Sequence, residues 1–309
     1  MTAIYKVAGI SKQGFHQQKE REELFDCRLS ELILEADQLK AEHPGCGVEK
    51  MYYTLQPDWL GRDKFIELFM ELGYRVKTHK NYIRTTIPAH FKYPNLIQGM
   101  QVRGKNQIWQ TDITYFKVAD RYYYLVFIID VYTRRILGYA VSDHLRAESN
   151  IKALHMAIKN AGGPIQGLIH HSDRGSQYID SKYTGLLQSK GVHISMGEKA
   201  QDNAYAERVN GIIKNEYLAY KEIKTFSQLK TQVKRAVNHY NNRRKHRSLP
   251  ARCTPVEFEK KLLGLYRQKR PTVIIYAEGN SKIKEALSPL DFMPEKEPLA
   301  HICPIVTDE

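Results

Sequence analysis

Three acidic residues stand in surroundings that could bring carboxylates together at one metal site. Asp112 lies inside the apolar and β-branched run 108–118, Asp173 directly follows an apolar run, and Glu207 lies in a helix-like segment. Carboxylates drawn from separate elements can hold divalent cations, and such ions catalyse the cleavage and joining of phosphodiesters. The triad therefore predicts a metal-dependent phosphoryl-transfer site.

Each of these acids also has an ordinary structural interpretation. Asp112 could be a hydrogen-bonded residue of an edge strand, although acids are depleted in strands and a buried one needs a partner or a metal. Asp173 could simply form a turn, although sites in open α/β sheets form at the carboxyl ends of strands. Glu207, close to Lys214 on a polar helix face, could be solvated.

Asp130 is a reserve candidate, and its placement depends on the hairpin that precedes it. With a two-residue loop we expect Asp112 to pair with Ile129, and Asp130 then points to the opposite face of the sheet. A longer loop would reverse that arrangement, so both outcomes stay open.

The helix that carries Glu207 is predicted to have two distinct sides at 100° per residue. The side of Glu207 also holds Asn203, Asn210, Gly211, Lys214 and Leu218. The opposite side holds Tyr205, Val209, Ile212, Ile213 and Tyr220. Two residues do not fit the pattern, because Leu218 falls on the polar side and Glu216 in the apolar sector.

The elements that must position the triad follow from periodicity and turn residues. Strands are predicted at 108–118, 122–131, 135–141, 168–171 and 192–196, and helices at 147–161, 182–190, 203–220 and 226–242. Three hairpin-joined strands followed by strands alternating with helices predict an α/β fold. Its centre is a mixed five-stranded sheet flanked by helices.

A helical module is predicted ahead of this core, within residues 1–76. Apolar residues at helical spacing occur at Leu29–Leu39, Val48–Leu55 and Phe65–Leu72, the layout of a helix-turn-helix unit. Arg62 and Lys64 open the last helix, where groove-reading side chains usually lie; a plain three-helix packing module is the alternative. Residues 77–107 are expected to be a basic linker, 108–248 the core and 249–309 a C-terminal extension.

Charge and composition narrow the class of partner. The formal net charge is +13, and residues 199–270 hold 18 Lys and Arg against 6 Asp and Glu. This basic block predicts a polyanion partner, with a solvated basic surface as the alternative. The four separated cysteines form no Cys-x-x-Cys pair and indicate neither a zinc ribbon nor a disulfide framework. No apolar signal run or membrane-length stretch occurs, so a cytoplasmic location is expected.

Several motifs together resemble the DDE transposases of the insertion-sequence family three, of the second-frame (OrfB) type. The resemblance covers about residues 30–258, and any one motif alone would be weak. Its motifs lie at 109–115, 130–138, 171–178, 202–207, 213–216 and 240–249, followed by Thr254-Pro255. One departure is the gap of 33 residues between Asp173 and Glu207, a little shorter than is usual in the family.

The resemblance implies a ribonuclease H-like, retroviral-integrase-like core whose acidic triad falls on Asp112, Asp173 and Glu207. It implies two Mg²⁺ or Mn²⁺ ions about 3.5–4 Å apart, with Asp112 bridging them. The implied substrates are double-stranded DNA, both element terminal repeats and target. Side chains implied to contact this DNA are Lys214, Asn203, Gln177, Arg243, Arg244, Lys245 and Arg247. A homo-oligomer on DNA, an upstream-frame fusion partner and a nucleoid-associated location are further implications.

Three other functions compete with transposition. A ribonuclease H-type nuclease would share the site but would cut without joining, and a non-catalytic DNA-binding regulator would not need Asp112. A tyrosine recombinase is disfavoured because the basic cluster at 243–247 lacks the separated Arg, His-x-x-Arg and late Tyr of that class.

Overall fold

The computed structural model describes residues 12–76, 93–197 and 199–275, together with the backbone of 284–285. The chain divides into two compact units, residues 1–77 and residues 78–309. Among the helices in these described ranges, none has the length and apolar character needed to cross a membrane.

The first unit packs the helices α1 (Lys12–Glu42), α2 (Val48–Leu55) and α3 (Arg62–Glu71). Their apolar faces meet in one buried cluster: Leu32, Ala36, Leu39, Cys46, Val48, Met51, Leu60, Phe65 and Phe69. The predicted helical module is confirmed. Helix α1 begins much earlier than the predicted Leu29, because its first half is exposed on all sides and therefore carries no apolar periodicity.

Arg62 and Lys64 lie exposed in the first turn of α3. Each pairs with an acid of its own helix: Arg62 Nη2 lies 2.7 Å from Asp63 Oδ1, and Lys64 Nζ lies 3.0 Å from Glu67 Oε2. Exposed pairs of this kind are weak and exchange readily for other partners. The DNA contact of these two residues stays a prediction.

The second unit is built on a sheet with the strand order β4-β3-β2-β5-β6. β2, β3 and β4 pair antiparallel, while β5 and β6 run parallel to β2. The strands are β2 (Ile108–Val118), β3 (Arg121–Asp130), β4 (Ile136–Ser142), β5 (Ile169–Ser172) and β6 (His193–Met196). The predicted ribonuclease H-like arrangement of the mixed five-stranded sheet is confirmed.

Helices cover both faces of this sheet because its central strands are apolar on both sides. Val126 and Ile128 share a core cluster with α4 (Ala147–Asn160) and α5 (Ser181–Ser189). Leu125 and Phe127 point the other way, into a cluster with α6 (Ala204–Ile212) and α7 (Phe226–Asn242). On the first face the backbones of α4 and β4 approach closely at Gly138, where an added Cβ would lie 2.0 Å from the Ala153 carbonyl oxygen.

The core extends beyond the predicted limits of 108–248 at both ends. Of the predicted linker, residues 77–92 lie outside the described residues, whereas residues 93–107 pack into the second unit and include β1 (Met100–Val102). The expected C-terminal extension contributes α8 (Pro255–Leu262), β7 (Val273–Ile274) and β8 (Lys284–Glu285). Strands β7 and β8 pair with β1 in a second, three-stranded sheet.

One buried cluster joins the two ends of the core. It contains Ile97, Val102, Ile108, Val131, Tyr132, Ile169, Leu249, Cys253, Phe258, Leu262 and Ile275. The linker and extension boundaries therefore differ from prediction. Strands of two or three residues give no periodic signal, and their pairing is distant in sequence.

Candidate active site

The parallel pairing of β2 and β5 brings two of the three predicted acids together. Thr111 pairs with Ser172 at the end of β5, so Asp112 and Asp173 are the next residues along the two chains. Both side chains are half-buried, whereas Glu207 is exposed on α6. A central strand, the end of its parallel neighbour and a covering helix thus supply one carboxylate each.

Helix α6 is fastened to β2 by the side chain of Gln110. Gln110 Oε1 accepts hydrogen bonds from the backbone N–H groups of Tyr205 (3.1 Å) and Ala206 (3.3 Å). Its Nε2 donates to the backbone oxygen of Asp202 at 2.9 Å. Because α6 has no side-chain cap of its own, this buried amide satisfies N–H groups of its first turn. Gln110 therefore fixes the helix of Glu207 to the strand of Asp112.

Asn203 adds a second connection between the same elements. Its Nδ2 donates to the backbone oxygen of Thr111 at 2.9 Å, and the side chain is only 3% exposed. The side chain is enclosed between β2 and the start of α6, which does not favour the predicted direct contact with DNA. It positions the helix instead.

Asn210 links Glu207's helix to Asp112 directly. It lies one turn beyond Glu207, on the side that helical spacing predicts, and its Nδ2 donates to Asp112 Oδ2 at 2.8 Å. The other carboxylate oxygen, Oδ1, accepts from the backbone N–H of Ile113 at 2.9 Å. Both Gln110 and Asn210 escape prediction as positioning residues, since only the fold reveals their partners.

The three carboxyl groups interact electrostatically. Burial, followed by the negative charges of Asp173 and Glu207, raises the pKa of Asp112 to about 8. Burial also raises the pKa of Asp173, against a hydrogen bond from the Gly175 N–H. The pKa of Glu207, whose side chain is exposed but partly desolvated, is raised by that desolvation and then by the charge of Asp173. Negative charge is therefore concentrated here without full compensation.

These residues fit a divalent cation in chemical type and in charge. All three side chains offer oxygen ligands, which hard cations such as Mg²⁺ prefer, and their mutual repulsion would be relieved by a cation. Within the described ranges, no three His, Cys, Asp or Glu side chains already stand as a coordinating group. Instead, N–H donors engage both oxygens of Asp112 and one of Asp173, so a cation would replace or rearrange these contacts.

Lys214 lies beside the triad, as the helical spacing predicts. Its Nζ is 5.4 Å from the centre of the Tyr115 ring, and it is attracted by the charge of Asp112. Burial lowers the pKa of Lys214, an effect that Asp112 opposes. A half-buried ammonium group next to three carboxylates is suited to meet a phosphate, and this role stays a prediction.

A π turn explains the two residues that did not fit the predicted helix. Residues Ile213–Tyr217 form a π-helical turn directly after α6. Such a turn inserts about one extra residue and rotates everything that follows. Leu218 therefore becomes buried, at 1% exposure. Glu216 reaches Arg244, whose Nη2 and Nε lie 2.7 and 2.8 Å from its two carboxylate oxygens.

Two of the four basic residues predicted to hold flanking DNA are engaged elsewhere. Arg244 is 6% exposed and bound to Glu216, so its predicted DNA contact is wrong. Lys245 is half-buried, with its Nζ 3.2 Å from Glu257 Oε2, which leaves it poorly placed for DNA. Arg243 and Arg247 are exposed, and their contact with DNA stays a prediction.

Gln177 lies in the short 3₁₀ turn that follows Asp173 in the chain. The side chain is half-buried, and its Nε2 donates to the backbone oxygen of Leu145 at 3.4 Å. This long bond joins the 3₁₀ turn to the approach to α4. The contact of Gln177 with DNA stays a prediction.

Asp130 belongs to the opposite face and does not join the triad. The hairpin loop has two residues, so Asp112 pairs with Phe127 rather than the expected Ile129, and Asp130 pairs with Trp109. The predicted face is nevertheless correct, since 127 and 129 lie on the same side. Asp130 is 1% exposed and accepts hydrogen bonds from the N–H groups of Asn106 and Thr133, at 2.7 Å each. It is a structural residue of the following turn.

Comparisons with known proteins agree with this architecture. The integrase core domain family matches residues 102–201, and a second integrase core domain family matches residues 190–255. An insertion element IS600 31 kDa protein of Shigella sonnei is 31% identical over 83% of this chain and 97% of its own length. The transposase for insertion sequence element IS904 of Lactococcus lactis is 31% identical over 61% of this chain and 74% of its own length.

The solved structures similar to this chain include the HTLV-2 integrase catalytic core domain in complex with magnesium. It is 21% identical to this chain, with a TM-score of 0.41, over 53% of this chain and 99% of that one.

Proposed function

Because the chain belongs to the DDE transposases of insertion sequences that carry an integrase core domain, we propose that Asp112, Asp173 and Glu207 are its catalytic residues. They would cleave and join the ends of an insertion sequence. The observation that carries this assignment is that paired strands place Asp112 beside Asp173, while α6, which bears Glu207, is joined to Asp112 through Asn210.

The proposed cofactor is a pair of Mg²⁺ or Mn²⁺ ions. Asp112 would contact both, and Asp173 and Glu207 would hold one each. When bound, such ions activate the attacking oxygen and stabilise the leaving oxygen of a phosphodiester. Asp112 contributes by giving up the proton that its raised pKa lets it retain in the absence of a cation. Metal binding would therefore release protons.

The chain's own side chains position the DNA and the triad. Lys214 would hold a phosphate next to the scissile bond, because its ammonium lies half-buried beside Asp112. Gln110 and Asn210 would keep Glu207 and Asp112 at a fixed separation. For strand cleavage, water attacks the phosphorus and the 3′ oxygen leaves; for strand transfer, that 3′-hydroxyl attacks a target phosphodiester and a second 3′ oxygen leaves.

The proposed partners are double-stranded terminal repeats and target DNA, bound by a homo-oligomer of this chain. The basic stretch 199–270 supports a polyanion partner. Arg62 and Lys64 of α3, with Arg243 and Arg247 of the core, are the proposed DNA-contacting residues that remain exposed. An upstream-frame fusion partner and association with the nucleoid are further parts of the proposal.

The test is to incubate the protein with element-end DNA, target DNA and Mg²⁺. We expect nicked ends and joined products from the wild type. The substitutions Asp112→Asn, Asp173→Asn and Glu207→Gln should abolish both products while leaving DNA binding in place. The matched control is Asp143→Asn, because Asp143 is an exposed acid of the same unit.

Other outcomes would point to the competing functions. Nicking by the wild type without joining would identify a nuclease. DNA binding by the wild type without any nicked or joined product would identify a regulator. Joining retained by any one triad variant would remove that residue from the catalytic set.

A further inference from the structure

The outer half of the β2–β3 hairpin extends beyond the strand that borders β2. β5 pairs with β2 only from Ile108 to Thr111. In the part of the chain that the structure describes, the remaining edge of β2, residues 112–118, pairs with no other strand. On this outer half Lys117, Arg121 and Tyr122 are exposed and Tyr115 is half-buried.

Two tyrosines form an aromatic pair on this outer half. Tyr115 pairs with Tyr124, and Tyr122 pairs with Lys117, so Tyr115 and Tyr122 are diagonal neighbours on one face. Their ring centres are 5.5 Å apart at an interplanar angle of 81°. Tyr122 is 44% exposed, so nearly half of its surface is available to a partner.

Positive charge surrounds the pair and joins it to the triad. Lys214 Nζ lies 5.4 Å from the centre of the Tyr115 ring and interacts with Asp112. Lys117 and Arg121 are exposed on the same hairpin. A phosphate held by Lys214 would therefore place the attached nucleotide beside the two rings.

We propose that Tyr115 and Tyr122, together with Lys214, form a stacking platform for an unpaired base of the DNA strand next to the scissile phosphate. This proposal rests on the proposed function. It adds that one base of the DNA substrate is unpaired when the strand is cut. Inside a duplex both faces of a base are stacked on its neighbours, so a base within the helix must become unpaired before it can present a face to an aromatic ring. A cation beside aromatic rings can bind one nucleotide: the ammonium group binds its phosphate, and a ring stacks on its base.

The first experiment measures cleavage of two DNA substrates, one fully paired and one mismatched at the nucleotide next to the cut. We expect Tyr122→Leu and Tyr115→Leu to lower cleavage of paired DNA roughly 5- to 150-fold, as expected for the loss of one stacked base. Cleavage of mismatched DNA should fall much less, because its base is already unpaired. Tyr122→Phe, which keeps the ring, should behave like the wild type.

A control variant and two contrary results test whether the effect is due to stacking. Tyr266→Leu removes a similarly exposed tyrosine, 47% exposed, from outside the hairpin, and should change neither rate. An equal loss on both substrates would show that the rings serve only to support the fold, and no loss on either would show that they contact no base. Both results overturn the platform. A wild type that cleaves neither DNA would instead defeat the proposed function.

A second experiment detects the base without relying on cleavage. 2-Aminopurine at the nucleotide next to the cut is expected to lose fluorescence when the wild type binds in the presence of EDTA, through stacking on a ring. Tyr122→Leu should bind the DNA without this loss. Unchanged quenching in both Tyr115→Leu and Tyr122→Leu would contradict the platform.

Discussion

The side-chain oxygen of Gln110 accepts a hydrogen bond of 3.3 Å from the backbone N–H of Ala206, the residue before Glu207. The strand of one predicted metal ligand is thereby joined to the helix of another. Because Gln110 lies two residues before Asp112 on the same face of β2, any movement of this amide alters the separation of the two carboxylates.

Gln110→Ala is expected to weaken Mn²⁺ binding as well as stability. It leaves N–H groups of α6 without their acceptor, at about 1–3 kcal/mol for each buried group left unsatisfied. The matched control is Gln107→Ala, because Gln107 is also buried and accepts from the N–H groups of Arg103 (2.7 Å) and Gly104 (2.8 Å), away from the triad. Unfolding by urea measures the loss of stability, and calorimetric titration with Mn²⁺ measures the loss of metal affinity. Equal loss of Mn²⁺ affinity in both variants would contradict a positioning role.

The pH dependence of the metal-free protein should reflect Asp112. Its pKa is raised to about 8 in the folded state, against about 3.9 when unfolded. Between these values the folded state keeps a proton that the unfolded state has lost. The free energy of unfolding attributable to Asp112 therefore falls as pH rises from about 4 to about 8.

Asp112→Asn should make the curve of stability against pH flatter over this range, in urea titrations with EDTA. Asp143→Asn, at an exposed acid, should follow the wild type. Saturating Mg²⁺ should also flatten the wild-type curve, since the cation takes the place of the proton. Parallel curves for the wild type and Asp112→Asn would mean that the carboxyl group does not titrate abnormally.

Arg244 is expected to matter for stability rather than directly for DNA binding. Arg244→Gln leaves Glu216 without its charged partner, and breaking a largely buried pair costs about 3–5 kcal/mol. Glu216→Gln should cost a similar amount, and replacing both with Met should recover much of it. Denaturant unfolding measures all three. A cost below about 1 kcal/mol, typical of an exposed pair, would contradict this assignment.

Arg247 should show the converse behaviour. Its side chain is exposed, so Arg247→Ala is expected to leave the unfolding midpoint unchanged. If it contacts one phosphate, the slope of log affinity against log salt should become shallower by about 1. Fluorescence anisotropy at several salt concentrations gives this slope. An unchanged slope would exclude the phosphate contact.

Local patterns in the sequence were sufficient to predict most of the second unit's sheet. Ile108–Val118 and Phe226–Asn242 have the predicted bounds, because each has a clear period and a turn or cap at its ends. The helical wheel also placed Asn210 on Glu207's side, since α6 is regular up to Ile212, and Lys214 keeps that side because it follows only two residues later, early in the π turn.

Features that depend on distant partners escaped prediction. The burial of Arg244 requires Glu216, which lies within a π turn that helical spacing does not predict. In the sequence, Gln110 is a single polar residue in a predicted strand. Its role as a hydrogen-bond acceptor for α6 becomes visible only in the folded structure, where α6 packs against β2. The pairing of β1 with β7 likewise joins short segments far apart in the chain.

The most direct test of the central claim is an anomalous diffraction measurement on crystals soaked in Mn²⁺. The triad assignment predicts two Mn²⁺ peaks between the carboxylates of Asp112, Asp173 and Glu207, both lost in Asp112→Asn crystals. Manganese bound at other side chains, or absent from these three in protein that still cleaves DNA, would contradict it.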